Sequence, residues 1–206
     1  MTLGNNMEYT QIKISSQDDP KRFYRVLAVK GNPDLLTLGA LIGCSINAWF
    51  EHAYLFRIKG QREAYAFDSW EDEYFLPMSK YHLSDLGDKF EYCYDTGENY
   101  DFDCKVMKRK VNAYYEDEEE ADLAFVVKGA GQGIFENDHY TMWRYFDGLI
   151  DPNSNVENDE QRLPMNMEFE TYGDFDKPLD LEDYEYSDFY IEELIKSWEL
   201  GSELLG

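Results

Sequence analysis

The residues best suited to chemistry are three histidines and a set of carboxylates gathered around one short segment. His52, His82 and His139 are the only histidines. An imidazole changes charge near neutral pH, so each is a candidate proton carrier or metal ligand. None stands in the His-Glu-x-x-His spacing that puts two ligands on one helix face, and none lies in a known nucleophile signature. His52 is the most suggestive, because it follows the aromatic Trp49 at the expected end of a helix. Beside aromatics, a lone histidine is more often structural than reactive. His139 stands at an expected helix start, which predicts an exposed side chain.

Asp95, Glu98, Asp101 and Asp103 crowd nine positions of the chain. Carboxylates held close together can share acid–base work or hold a cation. Asp101 and Asp103 alternate with apolar neighbours, so the plainer reading makes them the wet side of a strand. The segment from Trp49 to His52 and the loop from Asp95 to Glu98 define the candidate ligand- or partner-binding set: Trp49, His52, Asp95, Gly97, Glu98 and Tyr100. No catalytic residue, metal ligand or cofactor is assigned.

Two further motifs fall short of their templates. Gly129, Gly131 and Gly133 follow a predicted strand, but Ile134 stands where a dinucleotide loop needs its third glycine. Glu136 and Asp138 would also oppose a phosphate, and a flexible connector is the expectation. Asp151, Asn153 and Asn155 open like a calcium loop. Val156 replaces the required glycine and Arg162 the bidentate glutamate, which predicts a turn instead.

The elements that must position these residues are legible from periodicity. Alternation over Glu8–Ile14 predicts a strand, and β-forming residues over Phe23–Val29 predict its antiparallel partner. Asn32, Pro33 and Asp34 read as a helix start with Asn32 as cap. Leu38, Leu41, Ile42, Ile46 and Trp49 follow as one buried stripe, with Gly39 and Gly43 either weakening the helix or letting another backbone approach closely. Strand character returns over His52–Lys59, and Glu63–Asp68 is expected to pair with it.

The clearest hairpin lies between Phe90 and Val111. Its aromatic faces coincide only if Tyr94 stands opposite Tyr100, since a slip of one residue would invert a strand. The loop is then Asp95–Asn99. Cys93 and Cys104 point to opposite faces and should not bond to each other. Leu123–Lys128 predicts another strand. A helix over His139–Leu149 is capped by Asp138, with Met142, Phe146 and Leu149 inward. A final helix is capped by Ser187, with Ile191, Leu194, Ile195 and Trp198 as its stripe.

The chain has 206 residues and a net charge of −24. Residues 1–113 carry a net of −3 and residues 114–206 a net of −21. The run Glu116-Asp117-Glu118-Glu119-Glu120 predicts a solvated loop. So strong a negative field opposes phosphate backbones and anionic membranes and favours basic partners. Apolar runs stay well below the roughly 18–20 residues of a membrane helix, and no leader-like stretch opens the sequence. Three cysteines without paired spacing fit a reducing cytoplasm better than a disulfide framework. The expected fold class is α+β: an antiparallel sheet with packed helices in a single domain. Residues 7–150 form its core and 151–206 an acidic C-terminal helical extension packed on it.

At the hairpin the sequence Tyr92-Cys93-Tyr94-Asp95-Thr96-Gly97-Glu98-Asn99-Tyr100 resembles the Y-x-Y-D-F-G-D-x-W signature of the family typified by the third open reading frame of plasmid pRiA. That family includes passenger proteins of insertion sequences. Arg22-Phe23-Tyr24-Arg25-Val26 is similar to its aromatic-arginine strand, and Trp49, His52 and Phe56 to its G-W-x-x-x-H-L-x-x-F stretch. Glu136 and Asp138 lie where relatives carry P-P-E-D-C-G-G. Gly173–Asp176 and Leu179–Glu182 resemble its closing segment. Tyr100 replaces the family's tryptophan, Phe102 a histidine, and the cysteines and prolines of the glycine-rich loop are gone. The resemblance implies an α+β domain with an antiparallel sheet and no particular activity.

The function expected from these residues is a non-catalytic interaction with a macromolecule, chiefly a protein with a basic surface. Two alternatives stand beside it. One is a small-molecule or metal-dependent enzyme with its site between Trp49–His52 and Asp95–Glu98. The other is a nucleic-acid mimic.

Overall fold

The computed structural model describes residues 5–70, 72–115, 121–156, 163–165 and 167–205. The acidic run 116–120 and the side chain of Trp198 therefore lie outside the described residues.

Among the described residues nine strands form one sheet: β1 (Asn5–Ser16), β2 (Tyr24–Lys30), β3 (Tyr54–Arg57), β4 (Ala64–Ala66), β5 (Phe75–Pro77), β6 (Lys89–Tyr94), β7 (Tyr100–Tyr115), β8 (Ala124–Ala130) and β9 (Glu185–Tyr186). Their order is β5-β4-β3-β6-β7-β1-β2-β8-β9. All pairs are antiparallel except β4 with β5. With the helices α1 (Leu35–Ser45), α2 (His139–Phe146) and α3 (Asp188–Leu205), the fold is α+β.

The hairpin has the register its aromatics demand, with Tyr94 opposite Tyr100, Tyr92 opposite Phe102 and Phe90 opposite Cys104. These side chains join Ile12, Ile14, Leu27 and Val29 in the main core. Lys13, Glu91 and Lys105 fall on the opposite face. At one edge of that second face Leu55, Ala66 and Cys93 form a small cluster under Trp70 and Phe75. All three cysteines are free and buried. Burial pushes the thiol pKa of Cys93 up to about 12, because a thiolate loses its hydration there.

Helix α1 starts later than the sequence suggests. Asp34, not Asn32, is its cap, with one carboxylate oxygen accepting from Thr37 N at 2.9 Å and the other from Thr37 Oγ1. Asn32 instead accepts from Ser84 N at 2.9 Å. The helix is buried nearly all round and ends at Ser45, so Trp49 lies beyond it and is 38 % exposed. Gly43 is required by a ring: a Cβ there would stand 2.5 Å from the Phe50 ring. Asp138 caps α2 as expected, accepting from Thr141 N. Leu149, expected inward, is exposed because α2 stops at Phe146.

The glycine-rich segment is packed rather than loose. A Cβ on Gly131 would meet the Phe175 ring at 2.7 Å, and its φ is +77°. A Cβ on Gly133 would meet the carbonyl of Ile46 at 2.7 Å. Arg25 is fully buried in the same region. Its guanidinium donates to the carbonyls of Ser45 at 2.5 Å, Tyr24 at 3.0 Å, Ala130 at 2.8 Å and Gln132 at 3.3 Å. One side chain thus ties the end of α1 to β8 and to the loop that follows it. The cation also sits at the negative end of the helix, where the macrodipole favours it.

Asp151 closes a turn, its Oδ1 accepting from Asn153 N at 2.9 Å. The acidic segment after residue 150 adds β9 to β8 and places α3 against α1. Ile191 is buried there, and Leu194 and Ile195 are half-buried.

Candidate functional site

Three chain segments meet where the hairpin loop leaves the sheet. His52 lies two residues before β3, and Ala53 O accepts from Asp95 N at 2.9 Å. That bond anchors the start of the Asp95–Asn99 loop. Asp95 has φ of +52°, and its Oδ1 accepts from Gly97 N at 3.0 Å and Glu98 N at 3.2 Å. This turn chemistry is local and readable from the Asp-x-Gly spacing. It leaves the other oxygen, Oδ2, buried without a hydrogen-bond partner. Oδ2 lies 3.7 Å from His52 Nε2.

The third segment is the loop ahead of α2, held by Arg25 and the packed glycines. It delivers Glu136, which is fully buried. Tyr94 Oη donates to Glu136 Oε1 at 2.6 Å and Trp49 N to Oε2 at 3.1 Å. Oε1 also lies 3.7 Å from His52 Nε2. Burial raises the Glu136 pKa above the usual carboxylate range, although the bonds from Tyr94 and Trp49 pull it back down. The Tyr94 pKa is raised too, by burial and then by the Glu136 charge.

His52 Nε2 lies 2.6 Å from Asn137 Oδ1, which identifies that nitrogen as the N–H donor. The imidazole packs edge-on to Tyr94, with ring centroids 6.2 Å apart. Its side chain is 30 % exposed, against 6 % for Asp95 and 0 % for Glu136. His52 is therefore the solvent-facing member of the group. Phe50, Asp95, Asn99 and Asn137 all hold φ between 52° and 60°. Asp and Asn adopt this conformation readily in turns, so only at the bulky Phe50 is it costly.

The six expected residues contribute unequally. His52 and Asp95 bring their side chains together. Gly97, Glu98 and Trp49 supply backbone N–H groups, while the Trp49 indole donates to Leu163 O at 2.7 Å. Tyr100 braces the site from behind, donating to Phe135 O and accepting from Asp138 N at 3.2 Å. His139 is an anchor rather than an exposed group. Its Nδ1 donates to Glu98 O at 2.9 Å, and its Nε2 meets Asp18 Oδ2 at 2.6 Å. Tyr94, Glu136 and Asn137 were not among the six. Periodicity does not mark a carboxylate in a glycine-rich loop as buried. Only the resemblance to relatives set Glu136 apart.

Chemically the group offers a half-open imidazole between two inward carboxyl groups, one of them with a raised pKa. That is acid–base equipment. Among the described residues no three His, Cys, Asp or Glu side chains form a set that could hold a metal ion.

The family model for plasmid pRiA4b ORF-3-like proteins matches residues 8–181, and the chain belongs to that family. Among solved structures, a protein of unknown function from Methanosarcina mazei Go1 is similar in fold. Its TM-score is 0.64 at 16 % identity, covering 86 % of this chain and 97 % of that one. No curated protein matches the sequence. Among the described residues no helix is long and apolar enough to cross a membrane.

Proposed function

We propose that the chain binds a small polar ligand at His52 and exchanges protons with it, with Asp95 and Glu136 as the flanking acid–base groups. The observation that carries this reading is the Asp95 Oδ2 atom. A buried carboxylate oxygen without a hydrogen bond is costly to keep, on the order of 1–3 kcal/mol or more. Here it is held beside an imidazole that reaches solvent. His52 is the group a ligand touches, and the two carboxyl groups lie directly behind it.

The test is a thermal-shift and NMR screen of amines, nucleotides and divalent metals against the native chain and the His52→Ala variant. Binding should move the His52 ring signals and disappear in the variant. Stabilisation that survives His52→Ala, or no ring signal moved by any compound, would sink the reading.

A second reading rests on a separate observation. Asp180, Glu182, Asp183, Glu185, Asp188, Glu192 and Glu193 are all exposed, and they surround exposed Leu181, Phe189 and Tyr190. Such a surface suits a basic protein partner, without catalysis. Capture of that partner should weaken as salt rises, since the Debye length is about 10 Å at 0.1 M. Competition by DNA for the same partner would instead support nucleic-acid mimicry. The three free, buried cysteines support a reducing, cytoplasmic setting for either reading.

A further inference from the structure

The face of the sheet turned away from the core carries an unusual rung of charge. Lys105 on β7 stands directly opposite Lys13 on β1 and directly opposite Lys89 on β6. Directly opposed like charges on neighbouring strands destabilise a sheet. The chain has 43 acidic residues with which to relieve that repulsion. Even so, among the described residues none of these three lysines makes an ion pair within 4.0 Å. Lys13 rests on the ring of Tyr24, 5.6 Å from its centroid. Lys59 follows two residues after Arg57, whose cross-strand partner is Glu91, two residues along β6 from Lys89 and on the same face. All four lysines line one concavity of about 500 Å³.

The next rung along the sheet sets the other end of that concavity. There Glu91 stands opposite Asp103, and both line the same space. Asp103 Oδ1 already accepts from Gln17 Nε2 at 3.2 Å. The cavity is thus polarised, with ammonium groups along one rung and carboxylates along the next. Its volume lies within the roughly 300–1,000 Å³ of small-ligand sites.

We propose that this concavity binds a phosphate monoester with a hydroxylated body, the phosphate on Lys13, Lys89 and Lys105 and the hydroxyls on Glu91 and Asp103. A dianionic phosphate answers the unrelieved repulsion of the lysine rung. Carboxylates accept hydrogen bonds from hydroxyls and repel a second anionic group, so the site selects one charged end. Bare phosphate fills too little of the space, and the surrounding field of a −24 chain opposes a nucleic-acid backbone.

Ribose 5-phosphate is a suitable probe, titrated by calorimetry at fixed ionic strength, with inorganic phosphate, ribose and duplex DNA as comparison arms. The ester should bind at least about tenfold more tightly than inorganic phosphate, a difference of roughly 1.4 kcal/mol. Lys105→Gln should weaken the ester at least about tenfold while leaving the ligand-free melting temperature equal or higher, because it removes like-charge repulsion. His52→Ala should leave ester binding unchanged, which separates this site from the one at the hairpin. No binding of the ester, equal binding of inorganic phosphate, unchanged affinity in Lys105→Gln, or preference for duplex DNA would each overturn the proposal.

Discussion

His52 Nε2 is 3.7 Å from Asp95 Oδ2 and equally 3.7 Å from Glu136 Oε1, and of these three side chains only the imidazole is substantially exposed. A single solvent-facing ring therefore shields two carboxyl groups delivered by segments more than forty residues apart. The Asp95 carboxylate is fixed by its own turn. The Glu136 carboxyl is fixed by Tyr94 and by the backbone of Trp49. Disturbing either support should be visible in stability as well as in binding.

Glu136→Gln tests the buried carboxyl. Its raised pKa means that folding disfavours the charged form. The stability associated with the neutral form is complete below the unfolded-state value, near about 4.3, and is lost as pH rises through the higher folded value. The glutamine variant lacks that loss. Its melting temperature should gain on that of the native chain as pH rises from mildly acidic to neutral. Parallel melting curves across that range would contradict the assignment.

His139 gives a pH dependence at a second position. Burial alone lowers its pKa, but the hydrogen bond and charge of Asp18, with the Glu98 carbonyl, outweigh it and the net shift is upward. The stabilisation is complete below the unfolded value near about 6.5 and is lost as pH rises through the folded value. Asp18→Asn should therefore cost more stability at pH 6 than at pH 9. Amide exchange at Gly97 and Glu98 should speed up in step. Equal destabilisation at both pH values would show that the contact is merely packing.

Asp174 supplies an acid-side marker. The Lys177 ammonium, then the backbone N–H groups of Thr171 and Glu170, hold its pKa down to about 2 against the opposing effect of burial. Its contribution is full above the unfolded value near about 3.9 and is lost as pH falls through about 2. Asp174→Asn should lower stability at neutral pH. The gap to the native chain should close as the solution is acidified toward pH 2, as followed by denaturant titration. A gap that stays constant with pH would assign the loss to turn geometry alone.

Arg25→Met removes the tie between α1, β8 and the loop carrying Glu136. Several buried carbonyls lose a donor, each at about 1–3 kcal/mol. A loss on the order of 3 kcal/mol or more in urea unfolding is expected, together with a broadened His52 signal as the loop loosens. Arg25→Lys should recover little, since an ammonium on a flexible stem lacks the planar fork that reaches several carbonyls at once. Full recovery by lysine would mean that charge, not geometry, is what this position needs.

The sequence made some parts of the site legible and hid others. The Tyr94–Tyr100 register followed from alternation, because a one-residue slip would have turned Tyr92 and Phe102 away from the core. The Asp95 turn followed from Asx-turn spacing, and Asp138 from helix capping. Asp34 displaced Asn32 as cap because Asn32 was recruited by Ser84, fifty-two positions away. The glycines read as a loose connector are tightly packed, since the crowding atoms belong to Phe175, Pro164 and Ile46. None of those partners is a sequence neighbour.

What the chain by itself determined was features set by near neighbours: strand alternation, the hairpin register, turn carboxylates, the Asp138 cap of α2, and the lopsided charge of its two halves. Tertiary structure alone decided that Glu136 is buried beside Tyr94, that Asp95 keeps an oxygen without a hydrogen bond next to His52, and that Lys13, Lys89 and Lys105 share a rung. The physical reason is that burial and proximity between distant segments depend on which strands pair and which loops are clamped. Those pairings are fixed by the whole core and by one buried guanidinium, not by any local run of residues.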